Sequence, residues 1–415
     1  MGEIPLYAFI YIAIYAQVFL TIVLFEEWEN IFEDNTDKEL KNFPKVVIAV
    51  PCWNESKTVE KTFISLLALD YPKDKLEIWA VDDGSTDNTW EVLQRYQNNP
   101  QIKVFTKENG GKHTAVNFVI ENSSSEIFGC LDADSYVKTD TLKNMVMKFE
   151  DDKEVMAVTP LMVVRNPENL LQSMQTVEYN LGLILKKVFS SIGAIHVTPG
   201  PFSLFRTEVF TKIGLYKKAH HTEDMEFAFR MQKNHLKIAS AVNAYVETST
   251  PDTLKKLYKQ RLRWTQGFMQ NSLDYKDMIF RPKYGNVALF TIPLGWIGIF
   301  MVLYSAFYSV FFLFKYLMAQ FNYFRVFGYD FSFSILSVND YVEKLFFSTN
   351  TISLLAIPLI ISGLTFIIMG HRLSLEGSKS VRYIFYFMFL WALIVPFWIA
   401  KALYNTITNR SISWR

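Results

Sequence analysis

Cysteine is nearly absent, with only Cys52 and Cys130 in 415 residues. Two thiols, each inside an apolar run, make no disulfide framework and fit a reducing compartment. The adjacent pair His220-His221 lacks the spacing that puts two ligands on one helix face, so no zinc site is expected. Net charge is missing as well. The 42 Lys+Arg balance 41 Asp+Glu to leave +1, and no global basic field points to nucleic acid as a partner. No basic segment precedes the first apolar run, and Glu26, Glu27 and Glu29 follow it where a signal peptide would carry small residues. Residues 4–25 therefore read as a retained anchor.

What the chain has in quantity is apolar surface, unevenly spread. Half of the residues are hydrophobic, while the polar ones concentrate between positions 26 and 285. The first run is long enough, at about 1.5 Å per residue, to cross a hydrocarbon layer of about 30 Å. Uncharged stretches at 284–314, 345–370 and 383–400 repeat the pattern, for about four spans. Arg372, Lys379 and Arg382 crowd the last connection, whereas the loop at 320–343 sets Arg325 against Asp330, Asp340 and Glu343. Basic loops stay cytoplasmic, which puts the polar region in the cytoplasm of a multi-pass plasma-membrane protein, both termini outside. The expected organisation is an anchor at 1–30, a cytoplasmic α/β domain at 43–250, an interfacial helix at 251–283 and about three spans at 284–415.

Inside the polar region, short apolar runs alternate with helical patterns. Residues 45–51, 76–81, 102–105, 127–131 and 155–162 read as strands. Helices are expected after Ser56 or Thr58, after Thr86 or Asp87, and from Lys112. This alternation predicts a doubly wound, mostly parallel sheet with its site at the strand C-termini. Three strand ends carry polar clusters: Asn54 and Glu55, Asp82 and Asp83, Asp132 and Asp134. If the strand continues past Leu131, Asp132 and Asp134 share a face and can converge on one cation; an ordinary strand-to-loop turn is the alternative.

The stretch KENGGKHTAVN at 107–117 is not a phosphate-binding P-loop, because Thr106 stands where the first glycine belongs and His113 follows Lys112. A glycine entry into a helix remains, whose amides and Lys112 can hold a diphosphate, or which is a plain turn. Residues 168–190 carry a helical apolar stripe, suited to a core or to a membrane surface. Glu223 and Asp224 open another helix, as caps or with one of them as a general base. Residues 255–270 form a basic helix just before the second span.

The ordered series PCWNE (51–55), VDDGSTDNT (81–89), NGGKHTAVN (109–117), LDADS (131–135), TED (222–224) and QRLRW (260–264) resembles the processive, membrane-embedded inverting glycosyltransferases of family two. These are relatives of hyaluronan, cellulose, chitin and poly-N-acetylglucosamine synthases. The resemblance implies a GT-A-type fold, with Glu55 and Asp83 near a uridine, Lys112 and Asp132 by the diphosphate and ribose, and Asp134 on Mg2+ or Mn2+. It makes Asp224 the base, Glu223 and Gln260 substrate contacts, Arg261 and Arg263 neutralisers of the leaving diphosphate, and Trp264 a stacking platform for the acceptor sugar. Pro199-Gly200-Pro201 departs from the family's usual Ser-Gly or Cys-Gly pair. The implied activity is polymerisation of hexose or N-acetylhexosamine units from a UDP-sugar, UDP-N-acetylglucosamine first, into a polysaccharide passed into the membrane. Membrane lipids and an accessory subunit or second copy are the implied partners. Single transfer to a lipid-linked acceptor and a non-catalytic sensor of nucleotide sugars are the alternatives.

Overall fold

The computed structural model describes residues 4–32, 40–220, 222–327, 351–374 and 382–410. Helices α1 (Ile4–Glu26) and α2 (Trp28–Phe32) precede β1 (Val46–Cys52), α3 (Val59–Leu67), β2 (Leu76–Asp82), α4 (Thr89–Gln94), β3 (Ile102–Thr106), α5 (Lys112–Asn122) and β4 (Ile127–Cys130). The chain continues through β5 (Ser135–Val137), α6 (Thr141–Asp151), β6 (Val155–Val164), α7 (Leu170–Ser191), β7 (Ser203–Arg206), α8 (Glu208–Ile213), α9 (Glu223–Lys233) and β8 (Lys237–Thr248). It then enters α10 (Leu254–Asp274), α11 (Ile292–Phe327), α12 (Thr351–Leu373) and α13 (Arg382–Ile407).

β1 is apolar throughout because both its faces are covered. Val46, Ile48 and Val50 pack with Phe63 and Leu66 of α3 and Met145 of α6, while Val47 and Ala49 face Val116 and Val119 of α5 and Phe227 of α9. Alternate residues thus feed two separate cores, one on each side of the sheet. The strand order is β3-β2-β1-β4-β7-β6-β8-β5.

The expected parallel arrangement holds for β3, β2, β1 and β4, and again between β6 and β8. Elsewhere the sheet is mixed: β7 runs antiparallel to both β4 and β6, and β5 antiparallel to β8. The cause is the path of the chain. It leaves α7 and arrives at the C-terminal edge of β4, so β7 must run back from there, with Ser203 beside Cys130. The 196–202 loop is thereby laid across the same edge that carries the acidic strand ends. Strand β4 stops at Cys130, so Asp132 and Asp134 lie in the turn to β5, not on a pleated strand. Alternation along a strand does not bring them together; the turn does, with the Ser135 amide donating to the Asp132 carbonyl at 3.0 Å.

Among the described residues four helices are long and apolar enough to cross a membrane: Ile4–Glu26, Val287–Val326, Leu354–Leu373 and Arg382–Ile407. Asp330, Asp340, Glu343 and Lys379, which entered the orientation argument, lie outside the described residues, as do residues 345–350 of the third expected span. Helices α7 and α10 join these spans to the sheet. Ile184 and Val188 of α7 pack with Val23 and Leu24 of α1 and Phe366 of α12. Leu257, Leu262 and Met269 of α10 pack with Met174 of α7 and with Trp391, Trp398 and Ala402 of α13. The apolar stripe of α7 is thus buried against the membrane helices.

Candidate active site

The loops after β1 and β2 are stitched to each other. Asn54, with φ of 58°, lies in the left-handed region, its amide donating to Ser85 Oγ at 2.9 Å and its Oδ1 accepting from the Thr86 amide at 2.8 Å. The Glu55 amide donates to Thr89 Oγ1 at 2.7 Å, and Ser56 Oγ donates to the Asp87 carboxylate at 2.7 Å. Thr58 stands at the N-cap of α3, but its hydroxyl donates to Glu55 Oε2 at 2.6 Å instead of capping the helix. Asp87 accepts from the Thr89 amide at 3.0 Å as α4 begins. Thr58, expected as a cap, is therefore spent on Glu55, while Asp87 bonds the first amide of α4 and the Ser56 end of the neighbouring loop.

Asp83 is only 3% exposed, and its carboxylate organises the glycine entry to α5. It accepts from Lys107 Nζ at 2.7 Å and from the Gly110 and Gly111 amides at 3.1 and 2.8 Å. Gly111 has φ of +93°, a conformation that L side chains rarely adopt. Its left-handed turn aims α5 so that Lys112, the first helical residue, reaches across to Asp132, with which it forms an ion pair. Burial alone would lower the Lys112 pKa, but Asp132, and behind it Asp224, hold it above the usual lysine range.

Over this pair lies the 196–202 loop. A Cβ at Gly200 would run into Lys112 Nζ and approach Asp132 Oδ2 to 3.2 Å, so a larger residue there has to displace the ends of these two side chains. Asp224, in the first turn of α9, is tied to the same loop through its carbonyl, which accepts from Thr198 Oγ1 at 2.9 Å. Burial raises the Asp224 carboxyl above the usual range; Lys112 and Arg263 oppose the shift, and Glu223 and Asp132 add to it. The three groups singled out from distant motifs, Lys112, Asp132 and Asp224, thus act on one another across one edge of the sheet.

The carboxylates Glu55, Asp132 and Asp134 form a negative rim beside it. Burial raises Glu55 against the opposing Thr58 hydroxyl, and Asp134 and Asp132 raise it further. Burial, with Asp132, also raises Asp134, whose hydroxyl partner Ser135 is 3.3 Å away. Among the described residues no three His, Cys, Asp or Glu side chains are grouped to hold a metal ion by themselves. The rim still fits a hard divalent cation of the kind bound by one or two carboxylates together with substrate phosphates, because the crowded carboxylates are short of positive charge.

The QRLRW residues divide between two faces of α10. Arg261, 5% exposed, donates to Glu178 Oε2 of α7 at 2.6 Å and lies 4.3 Å over the Trp264 ring. Arg263 is the arginine whose charge reaches Asp224. Gln260 Oε1 is buried without a hydrogen-bond partner among the described residues. Thr222, just ahead of Glu223, is packed against Gly267 and accepts from Asn271 Nδ2 at 2.8 Å, which fixes the TED segment to α10. Lys107, Gly200 and Glu178 were not assigned roles from sequence. Lys107, inside the glycine-rich stretch, and Gly200, inside Pro-Gly-Pro, carried local signals; Glu178 matters through a contact with a residue far away in the chain.

This arrangement is an α/β sheet with carboxylates and a lysine at its C-terminal edge. Residues 47–214 match the family model of Glycosyl transferase family 2, and the matched region lies between helices long and apolar enough to span a membrane. It is similar to poly-beta-1,6-N-acetyl-D-glucosamine synthase of Staphylococcus aureus (strain COL), 35% identical over 224 residues, covering 54% of each chain. The same synthase of Staphylococcus epidermidis is 35% identical over 219 residues, covering 52% of each. The chain thus spans about half the length of the curated relatives it matches. In fold it is similar to the mannosyltransferase PcManGT of Pyrobaculum calidifontis, solved with GDP-Man and Mn2+. That likeness has a TM-score of 0.59 at 17% identity, covering 99% of this chain and 100% of that one.

Proposed function

We propose that this protein is an inverting glycosyltransferase that adds N-acetylglucosamine units from UDP-N-acetylglucosamine to a growing polysaccharide passed into the membrane. The observation that carries this reading is the mutual influence of Lys112, Asp132 and Asp224 at one sheet edge. The synthases similar to this chain, named for a poly-N-acetylglucosamine product, suggest the sugar that is transferred. Residues 43–250 are the catalytic region in the cytoplasm of a multi-pass plasma-membrane protein, 251–283 the interfacial segment, and 1–30 and 284–415 the membrane regions.

In this reading Asp224 takes the proton of the acceptor hydroxyl as its oxygen bonds to the sugar C1, while the C1–O bond to the diphosphate breaks and that oxygen keeps the electron pair. The Asp224 carboxyl suits this, because burial has lifted its proton affinity above that of an ordinary aspartate. Lys112 and Arg263 offset the charge that collects on the leaving UDP. Glu55 and Asp83 form the uridine end, Asp83 by holding the 107–111 loop. Asp134, with Asp132 beside it, would hold a Mg2+ or Mn2+ ion. When bound, that ion neutralises phosphate charge. Glu223 and Gln260 border the acceptor, and Trp264 offers its ring to a sugar face. Membrane lipids surround the helices, and an accessory subunit or second copy completes the export path.

The test is incubation of the purified protein with Mg2+ or Mn2+ and a panel of radiolabelled UDP-sugars. Long polymer from UDP-N-acetylglucosamine is the expected product. A second reading, single transfer to a lipid-linked acceptor, is suggested by the modest number of candidate spans among the described residues, four. Label recovered only in organic-extractable product would replace the first reading with the second. UDP-sugar binding with no transfer to any acceptor would leave a nucleotide-sugar sensor.

A further inference from the structure

Arg261 and Arg263 are two residues apart on a helix, a spacing that turns their side chains to different faces. The structure shows which face is which. Gly267 and Asn271 both touch Thr222, and Arg263, one turn before Gly267, shares their side of α10 and acts on Asp224. Arg261 lies on the other side, paired with Glu178 of α7 at 2.6 Å, with Trp264 one turn on and 4.3 Å beneath its guanidinium.

The start of α7 is also bonded to the chain entering α10. Gln172 Nε2 donates to the Thr250 carbonyl at 3.1 Å and Gln175 Nε2 to the Pro251 carbonyl at 2.8 Å. Those bonds place the beginning of α10 but do not set its rotation about its own axis. The Glu178 to Arg261 bond, two turns further in, is the charged contact on the α7 side that acts on this rotation, alongside the Asn271 to Thr222 and Asn405 to Gln266 bonds on other faces of α10.

We propose that Glu178 is a positioning residue: by holding Arg261 and, through it, Trp264 on the α7 side of α10, it sets the rotation that turns Arg263 toward Asp224. Arg261 is then a strut and not a ligand of the diphosphate. This inference rests on the transfer reaction proposed above.

The decisive variant is the double substitution Glu178→Leu/Arg261→Met, which removes both charges together and leaves no buried ion unpaired. Three quantities are measured: melting temperature, UDP affinity by calorimetry with Mn2+ present, and steady-state transfer. Melting within a few degrees of the parent, UDP affinity within twofold and kcat down at least 30-fold are the expected results. Glu178→Gln, which keeps an acceptor for Arg261, should stay within threefold of the parent kcat. A double variant with kcat within threefold of the parent would overturn the proposal, since the pair would then be packing only. So would a tenfold or greater loss of UDP affinity, since Arg261 would then contact the diphosphate. A parent protein that binds UDP but transfers nothing sinks the proposed reaction instead. The calorimetric comparison needs no turnover and still decides whether Arg261 lies off the diphosphate.

Discussion

At the scale of single residues, Asp224 is where burial and chemistry conflict most openly. A carboxyl raised by burial holds its proton more tightly in the folded chain than in the unfolded one. Its contribution to stability is therefore greatest below the unfolded value of about 3.9 and is lost as pH rises through the higher folded value. At neutral pH the ionised group is a stability cost retained for proton transfer. Asp224→Asn should accordingly lower transfer by roughly 10²–10⁴-fold, leave UDP binding nearly unchanged, and melt no lower than the parent at pH 7. Because the base must be ionised, kcat should fall as pH drops through the raised Asp224 value, and that limb should vanish in the variant. Retained turnover would contradict the assignment. Gly200 yields a second outcome at this scale: Gly200→Ala pushes a methyl group against Lys112 and Asp132. The donor KM should rise roughly tenfold, equivalent to about 1.4 kcal/mol, with little change in melting temperature. An unchanged KM would show that the pair shifts without consequence.

At the scale of elements, the strands ending in carboxylates were legible in the sequence because an apolar run buried on both faces stops abruptly where the ligand edge begins. β1, β2, β3, α5 and β4 all lie where periodicity put them. Strand β8 was not legible. Its residues Lys237–Thr248 alternate buried and half-buried positions among small and polar side chains, and its register with β6 shifts twice, so no clean period of two survives. The site was legible as residue types and much less as contacts. Asp132 and Asp134 were expected to share a strand face but lie in the turn after β4, and Thr58 read as a helix cap when it bonds Glu55. A helical stripe says that a face is buried, not against what; that α7 meets both α10 and the membrane helices depends on pairs such as Glu178 and Arg261, which lie 83 residues apart.

At the scale of the whole molecule, sheet and spans share their apolar surface. Removing residues 1–42 and 284–415 would bare Met174, Leu257, Leu262 and Met269 on one side and Ile184 and Val188 on the other. Contiguous apolar surface of that kind drives association. A 43–283 fragment should therefore elute as an aggregate in size-exclusion chromatography with light scattering and become monodisperse only in detergent. A monodisperse monomer without detergent would mean that α7 and α10 refold onto the sheet by themselves.

The two cysteines that closed off a disulfide framework have another consequence. Both are buried and free, one at the end of β1 and the other at the end of β4, so they mark two adjacent strands where these meet the site. Burial pushes the Cys130 thiol up to about 12, so the reactive thiolate is scarce while the fold is closed. Native-state alkylation is then a clock for how often this edge breathes. The molecule carries a built-in pair of opening reporters beside its site, readable one strand at a time without any added label site.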